Sequence, residues 1–127
     1  MPDKKILLVE DDKDLLLLMN KKLTDEGFSV AAVETGQEAL DFLEKDQPDL
    51  VLLDILLPDI DGLTVLNEIA SNKKTKNIPV IILTALVQDS DKERGIKGGA
   101  DDYIVKSETM PGEVIEKIKA LLEKYSK

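Results

Sequence analysis

The chain contains no cysteine and no histidine. Without cysteine there is no disulfide, no thiolate metal site and no cysteine nucleophile. Without histidine there is no Ser-His-Asp triad, no imidazole zinc site, and no phosphohistidine carried by the chain itself. Long apolar runs are missing as well. The opening Met1-Pro2-Asp3-Lys4-Lys5 leads into the short run Ile6 to Val9, too brief for a secretory h-region, and nothing approaches the ~20 apolar residues of a membrane span. Positive charge is scarce, with 17 basic against 26 acidic residues and a net charge of −9. That average field repels a phosphate backbone and favours a basic protein surface or a small cation. Together these absences predict a cytoplasmic protein with no membrane partner and no direct nucleic-acid contact.

What is present is enough for one core. At 127 residues with 43% apolar content the chain makes a single domain that needs no staple. Short apolar runs recur at Ile6–Val9, Val30–Val33, Leu50–Leu53, Val80–Leu83 and Tyr103–Val105, too short for helices and right for buried strands. Between them lie stripes of helical spacing: Leu15, Leu18, Met19 and Leu23; Ala39, Leu40 and Leu43; Leu63, Leu66 and Ile69; and Val114, Ile118, Leu121, Leu122 and Tyr125. The segment Ser90–Lys97 is weak, with only Ile96 on an apolar face.

Punctuation agrees with these elements. Thr35 and Glu38 read as a capping box. Gly27 and Gly98-Gly99 read as C-terminal caps, Asp61-Gly62 as a helix start, and Pro111 as a first helical turn. Pro48 and Pro79 precede strands, where a missing N–H does least harm. Strand–helix alternation implies a parallel sheet covered on both faces by helices. We expect a doubly wound five-stranded parallel sheet with five helices, strand order 2-1-3-4-5 and the first strand central.

In such a sheet the site lies beyond the carboxyl ends of the strands. The residues found there are Glu10, Asp11 and Asp12 after the first run, Glu34 after the second, Asp54 after the third, Thr84 after the fourth and Lys106 after the fifth. Two carboxylates ~4 Å apart repel by roughly 1–4 kcal/mol, so protonation, Lys106 or a cation must offset them. An oxygen-only, partly solvated donor set suits Mg²⁺. A hydroxyl from Thr84 and a cation from Lys106 aimed at the same place suit a transferring phosphoryl group. That leaves Asp54, on a central strand, as a nucleophile able to form an aspartyl-phosphate.

These residues resemble the receiver domain of two-component response regulators, whose sheet has the flavodoxin-like order. The resemblance rests on Ile6-Leu7-Leu8-Val9-Glu10-Asp11-Asp12, on Leu50 through Gly62 around Asp54, on Leu83-Thr84-Ala85, and on Gly99 through Lys106. It spans about Lys4 to Tyr125, and the whole chain, residues 1–127, reads as a single stand-alone receiver. By that resemblance Asp54 is the phospho-acceptor, and Mg²⁺ sits among Glu10, Asp11, Asp54 and the backbone carbonyl of Leu56. Lys106 pairs with phosphoryl oxygens, or with Asp54 beforehand. Thr84 swings in to the phosphoryl group, and Tyr103 is the aromatic that follows it. The implied donor is a histidine kinase or phosphotransfer protein. The implied output is a downstream protein on the face formed by the fourth helix, fifth strand and fifth helix. The implied protein is a signalling switch rather than an enzyme, a monomer or a phosphorylation-dependent dimer.

Two positions depart from the family pattern. Leu56 stands where methionine is usual, though only its backbone is needed. Lys106-Ser107 replaces the common Lys-Pro with its cis bond. A non-proline cis bond costs ~2.5–4 kcal/mol, so a trans bond and a shifted loop are expected there. Competing functions have discriminators. An aspartate-nucleophile Mg²⁺ phosphatase calls for an acid at position 56, where this chain has leucine. A nucleotide- or flavin-binding module calls for a Gly- or Ser/Thr-rich loop where Glu10-Asp11-Asp12 stands. A degenerate receiver serving only as a docking module would lack site residues that are present here. Tyr103 on an edge strand is also compatible with plain packing and a wet hydroxyl.

Overall fold

The computed structural model describes residues 4–125; the ends of the expected 1–127 domain, Met1-Pro2-Asp3 included, lie outside the described residues. Strands β1 (Lys5–Val9), β2 (Ser29–Val33), β3 (Leu50–Leu53), β4 (Val80–Thr84) and β5 (Asp102–Val105) alternate with helices α1 (Lys13–Asp25), α2 (Gly36–Lys45), α3 (Gly62–Ser71), α4 (Asp89–Lys97) and α5 (Pro111–Tyr125). All strand pairs are parallel and the order is β2-β1-β3-β4-β5, as expected. The strands work as near-continuous apolar runs because both faces are covered. Ile6, Leu8, Leu50, Leu52, Ile81 and Leu83 face α1 and α5. Leu7, Val9, Val51, Leu53, Val80 and Ile82 face α2, α3 and α4. Each fully buried Leu or Ile contributes about 1.5–3 kcal/mol, so these two layers dominate the fold's stability.

Local chemistry sets the helix ends. Thr35 Oγ1 accepts the Glu38 N–H at 3.1 Å, and the Glu38 carboxylate reaches back to the Glu34 N–H at 3.3 Å, one residue before the cap, so half of the expected box forms and its return bond is shifted by one residue. Asp61 accepts the Leu63 N–H at 3.0 Å and starts α3. Gly27 and Gly99 take the left-handed conformation (φ 96° and 116°) that closes α1 and α4.

Three apolar positions fall differently from the expected stripes. Leu18 is 42% exposed while Leu16 packs inward, since four successive leucines leave the helix rotation to be set by contacts with the sheet and α5. Ile96 faces outward, and α4 instead buries Gly95 and Asp91. Tyr125 leaves the α5 stripe and donates its hydroxyl to Asp101 at 2.5 Å, while Ile115 takes a core place. No peptide bond among the described residues is cis, so Lys106–Ser107 is trans, and the chain leaves β5 through a single 3₁₀ turn, Lys106–Glu108.

Candidate functional site

Register delivers the acids. Val9 pairs with Leu53 across β1 and β3, so the next residues, Glu10 and Asp54, emerge side by side at the carboxyl end. Both are pinned by backbone: the Glu10 N–H donates to Val33 O, and the Asp54 N–H to Val9 O, each at 3.0 Å. Their side chains are 2% and 3% exposed. Carboxylate oxygens of Glu10, Asp11 and Asp54 lie within 4.8 Å of one another, with Asp11 open to solvent. Asp12, the remaining acid of the run, is committed elsewhere. It caps α1, accepting from Asp14 and Leu15 at 3.0 and 3.2 Å, while its own N–H donates to Glu10.

Lys106 reaches this notch from β5 despite the absent proline. Its ammonium lies 2.7 Å from Asp54 Oδ2 and 2.9 Å from Glu10 Oε1. The other Asp54 oxygen, Oδ1, accepts the Leu56 N–H at 2.9 Å. Burial raises the Glu10 pKa. The Lys106 and Asp12 hydrogen bonds pull it back only in part, and the Asp54 charge adds to the rise. Burial alone would lower the Lys106 pKa, but its bonds to Asp54 and Glu10 outweigh that and hold it above an ordinary lysine. Lys106 is therefore a fixed cation between two buried acids, and removing it would strand uncompensated charge. An all-oxygen cluster with one wet member fits Mg²⁺, which takes a few carboxylates and keeps water.

Thr84 is fully buried at the end of β4, and its Oγ1 accepts the Leu86 N–H at 3.4 Å. The Tyr103 ring is 8% exposed, and its hydroxyl donates to Leu86 O at 3.0 Å. So one backbone residue, Leu86, bonds both side chains, and the tyrosine hydroxyl is tied to backbone rather than kept wet. The slot exists because α4 has no side chain at Gly95. A Cβ there would lie 2.7 Å from Ile82 Cδ1 and 3.1 Å from Tyr103 Cδ2. Sequence reasoning did not give the backbone role of Leu86, nor the space left by Gly95, whose sole signal was a glycine in a helix interior. The expected residues Glu10, Asp11, Asp54 and Lys106 meet at one point. Leu56 sits beside them through its N–H, and Thr84 and Tyr103 converge on Leu86.

The family model described as response regulator receiver domain matches residues 6–119. The chain is 42% identical over 123 residues to the regulatory protein VanRc of Enterococcus gallinarum, covering 97% of this chain and 52% of that protein. It is 38% identical over 120 residues to the phosphate regulon transcriptional regulatory protein PhoB of Rhizobium meliloti, covering 94% and 52%. The chain thus spans about half the length of the curated relatives it matches. Among solved structures, a CheY-like response regulator receiver domain protein from Methanospirillum hungatei superposes with a TM-score of 0.91 at 31% identity, covering 98% of this chain and 97% of that one. The BeF3-activated receiver domain of Klebsiella pneumoniae RstA gives a TM-score of 0.85 at 32% identity, covering 94% and 98%.

Proposed function

The chain belongs to the response regulator receiver domain family, and from that premise we propose that it is a phosphorylation-dependent signalling switch with Asp54 as the phospho-acceptor. The observation that carries this is the Asp54 carboxylate, buried at a strand end, oriented by the Leu56 N–H and paired with the Lys106 ammonium beside Glu10 and Asp11. A carboxylate so positioned attacks phosphorus while the bond to the donor's leaving atom breaks; by family membership the donor is the phosphohistidine of a kinase or phosphotransfer protein. Asp11, Asp54 and the Leu56 carbonyl, with Glu10 behind them, would hold Mg²⁺, which when bound neutralises carboxylate and phosphoryl charge.

Lys106 stays protonated and follows the phosphoryl oxygens. Transfer adds about 1.5–2 negative charges and strong acceptors, which draw the Thr84 hydroxyl and so disturb Leu86, the residue it shares with Tyr103. Tyr103 borders a groove of about 270 Å³ lined by Val87, Lys92, Val105 and Lys117 on the α4–β5–α5 face. That face carries the output to a protein partner, as a monomer or through a phosphorylation-dependent dimer. Residues 1–127 act as one receiver unit in the cytoplasm, with no direct nucleic-acid contact. Among the described residues no helix is long and apolar enough to cross a membrane.

The test is intact mass after incubation with Mg²⁺ and acetyl phosphate. Wild type gains one phosphoryl group and Asp54→Asn gains none. An unmodified wild type, or equal gain in the variant, overturns the proposal.

A further inference from the structure

The segment from Asp54 to Gly62 carries the acceptor and the Leu56 carbonyl, and it is held at two places. Its base is cinched where the Gly62 N–H donates to Ile55 O at 3.0 Å; a Cβ on Gly62 would lie 2.2 Å from Ile55 Cα, so only glycine closes the loop. Its tip is held by Asp59. That carboxylate accepts the Gly36 N–H at 2.8 Å and the Gln37 N–H at 2.9 Å, the first two amides of α2. Thr35 takes the third, at Glu38, so the two caps are complementary rather than redundant. The helix dipole favours an anion there, and the backbone bonds from Gln37 and Gly36 hold the Asp59 carboxyl below its ordinary range. Gly36 lets the tip come close, since a Cβ there would already be 3.1 Å from Ile60 Cβ.

Between base and tip, Leu57 and Ile60 pack partly against the core and the Leu56 N–H bonds Asp54 Oδ1, but among the described residues no other side chain of the loop is hydrogen-bonded to α2. Leu56 is 48% exposed and contributes little burial. Pro58, with its φ locked near −65°, makes a stiff link from Asp59 back toward Leu57 and Leu56. We infer that Asp59 is a positioning residue: by clamping the loop tip to α2 it sets where the Leu56 carbonyl and Asp54 carboxylate stand, and so sets Mg²⁺ affinity. With both oxygens engaged by α2, Asp59 is itself no competitor for the cation. This inference rests on the Mg²⁺ site proposed above.

A merely structural cap would behave differently, and Thr35→Ala is the control, because it weakens the same helix end without touching the loop. Mg²⁺ affinity of the folded full chain is measured by calorimetric titration, and amide shifts are followed by NMR. Supporting groups of a metal site typically change affinity by 10–100-fold, and Asp59 acts one step further out, so Asp59→Ala is expected to weaken Mg²⁺ by about tenfold while Thr35→Ala stays within about twofold of wild type. Asp59→Asn, which keeps one acceptor, falls between them and serves if the alanine variant does not fold. In wild type the Gly36 and Gln37 amides shift on Mg²⁺ addition, and in Asp59→Asn that response shrinks. If wild type binds Mg²⁺ and the Asp59 variants bind it equally well, the clamp is overturned and the acceptor function stands. If wild type binds no Mg²⁺, the metal site and the clamp fall together.

Discussion

Aspartates stand at both ends of this sheet, and the two ends use them in opposite ways. At the amino end, Asp49 accepts the Lys5 N–H at 2.7 Å and Asp101 accepts the Val80 N–H at 2.9 Å. These are amides at or next to strand starts, which a parallel ladder does not fully serve, and each acid lowers the free energy of the fold by serving one. At the carboxyl end, Glu10 and Asp54 are buried together with one lysine between them, and Asp11 adds a further charge facing solvent. Here the acids repel, and the Lys106 ammonium between Glu10 and Asp54 offsets that repulsion only in part, so further positive charge would be favoured beside them. Carboxylates thus serve the fold at one end and form a repelling cluster of like charge at the other.

Asp11 gives the sharpest break between the ends. It is exposed and its carboxylate joins the cluster, so Asp11→Asn should weaken Mg²⁺ binding tenfold or more while changing folding free energy by under about 0.5 kcal/mol. Calorimetric titration and urea unfolding check the two halves; a large loss of stability with intact Mg²⁺ affinity would place Asp11 with the amino-end acids. Asp101→Ala should do the reverse. It leaves the Val80 N–H without its carboxylate and costs about 1–2 kcal/mol in the same unfolding measurement, with Mg²⁺ affinity within about twofold of wild type.

How legible each end was depends on how local its physics is. Most of the strands were readable because a buried parallel strand is an uninterrupted apolar run, while the edge strand β2, with no buried residue, still carries the short apolar run Val30–Val33. Glu10, Asp11, Asp54, Thr84 and Lys106 were readable because each stands within two residues of the end of such a run and the crevice rule places those positions together. Thr35–Glu38 was readable because the whole motif lies within four residues. Asp59 was not, since the amides it serves lie 23 and 22 residues away. The Tyr103 hydroxyl bond to Leu86, 17 residues distant, depends on the space above Gly95, and no periodicity encodes that. The α4 stripe misled for a related reason. Ile96 was its best apolar residue, yet contact with Ile82 and Tyr103 is made through the residue with no side chain at all. Tyr125 looked like one more apolar residue of α5 and proved to be tied by its hydroxyl to the amino-end acid Asp101.

That last contact yields the smallest effect, and it tests the amino end by pH. The hydrogen bond to Asp101, helped by partial burial and by the carboxylate charge, pushes the Tyr125 phenol up to about 12. Burial and the nearby Asp91 also raise Tyr103, with Arg94 opposing. The chain has only these two tyrosines and no tryptophan, so ultraviolet titration of the folded protein should show no phenolate with the ordinary value near 10. The folded pKa lies above the unfolded one, so the protonated phenol is the stabilising form. Its contribution is complete below about pH 10 and is lost as pH rises from there through about 12. Tyr125→Phe should remove the highest phenolate step and flatten that part of the alkaline stability loss. Asp101→Ala should instead return Tyr125 toward 10. A wild-type phenolate appearing near 10 in folded protein, and missing in Tyr125→Phe, would mean that Asp101 serves the Val80 amide alone.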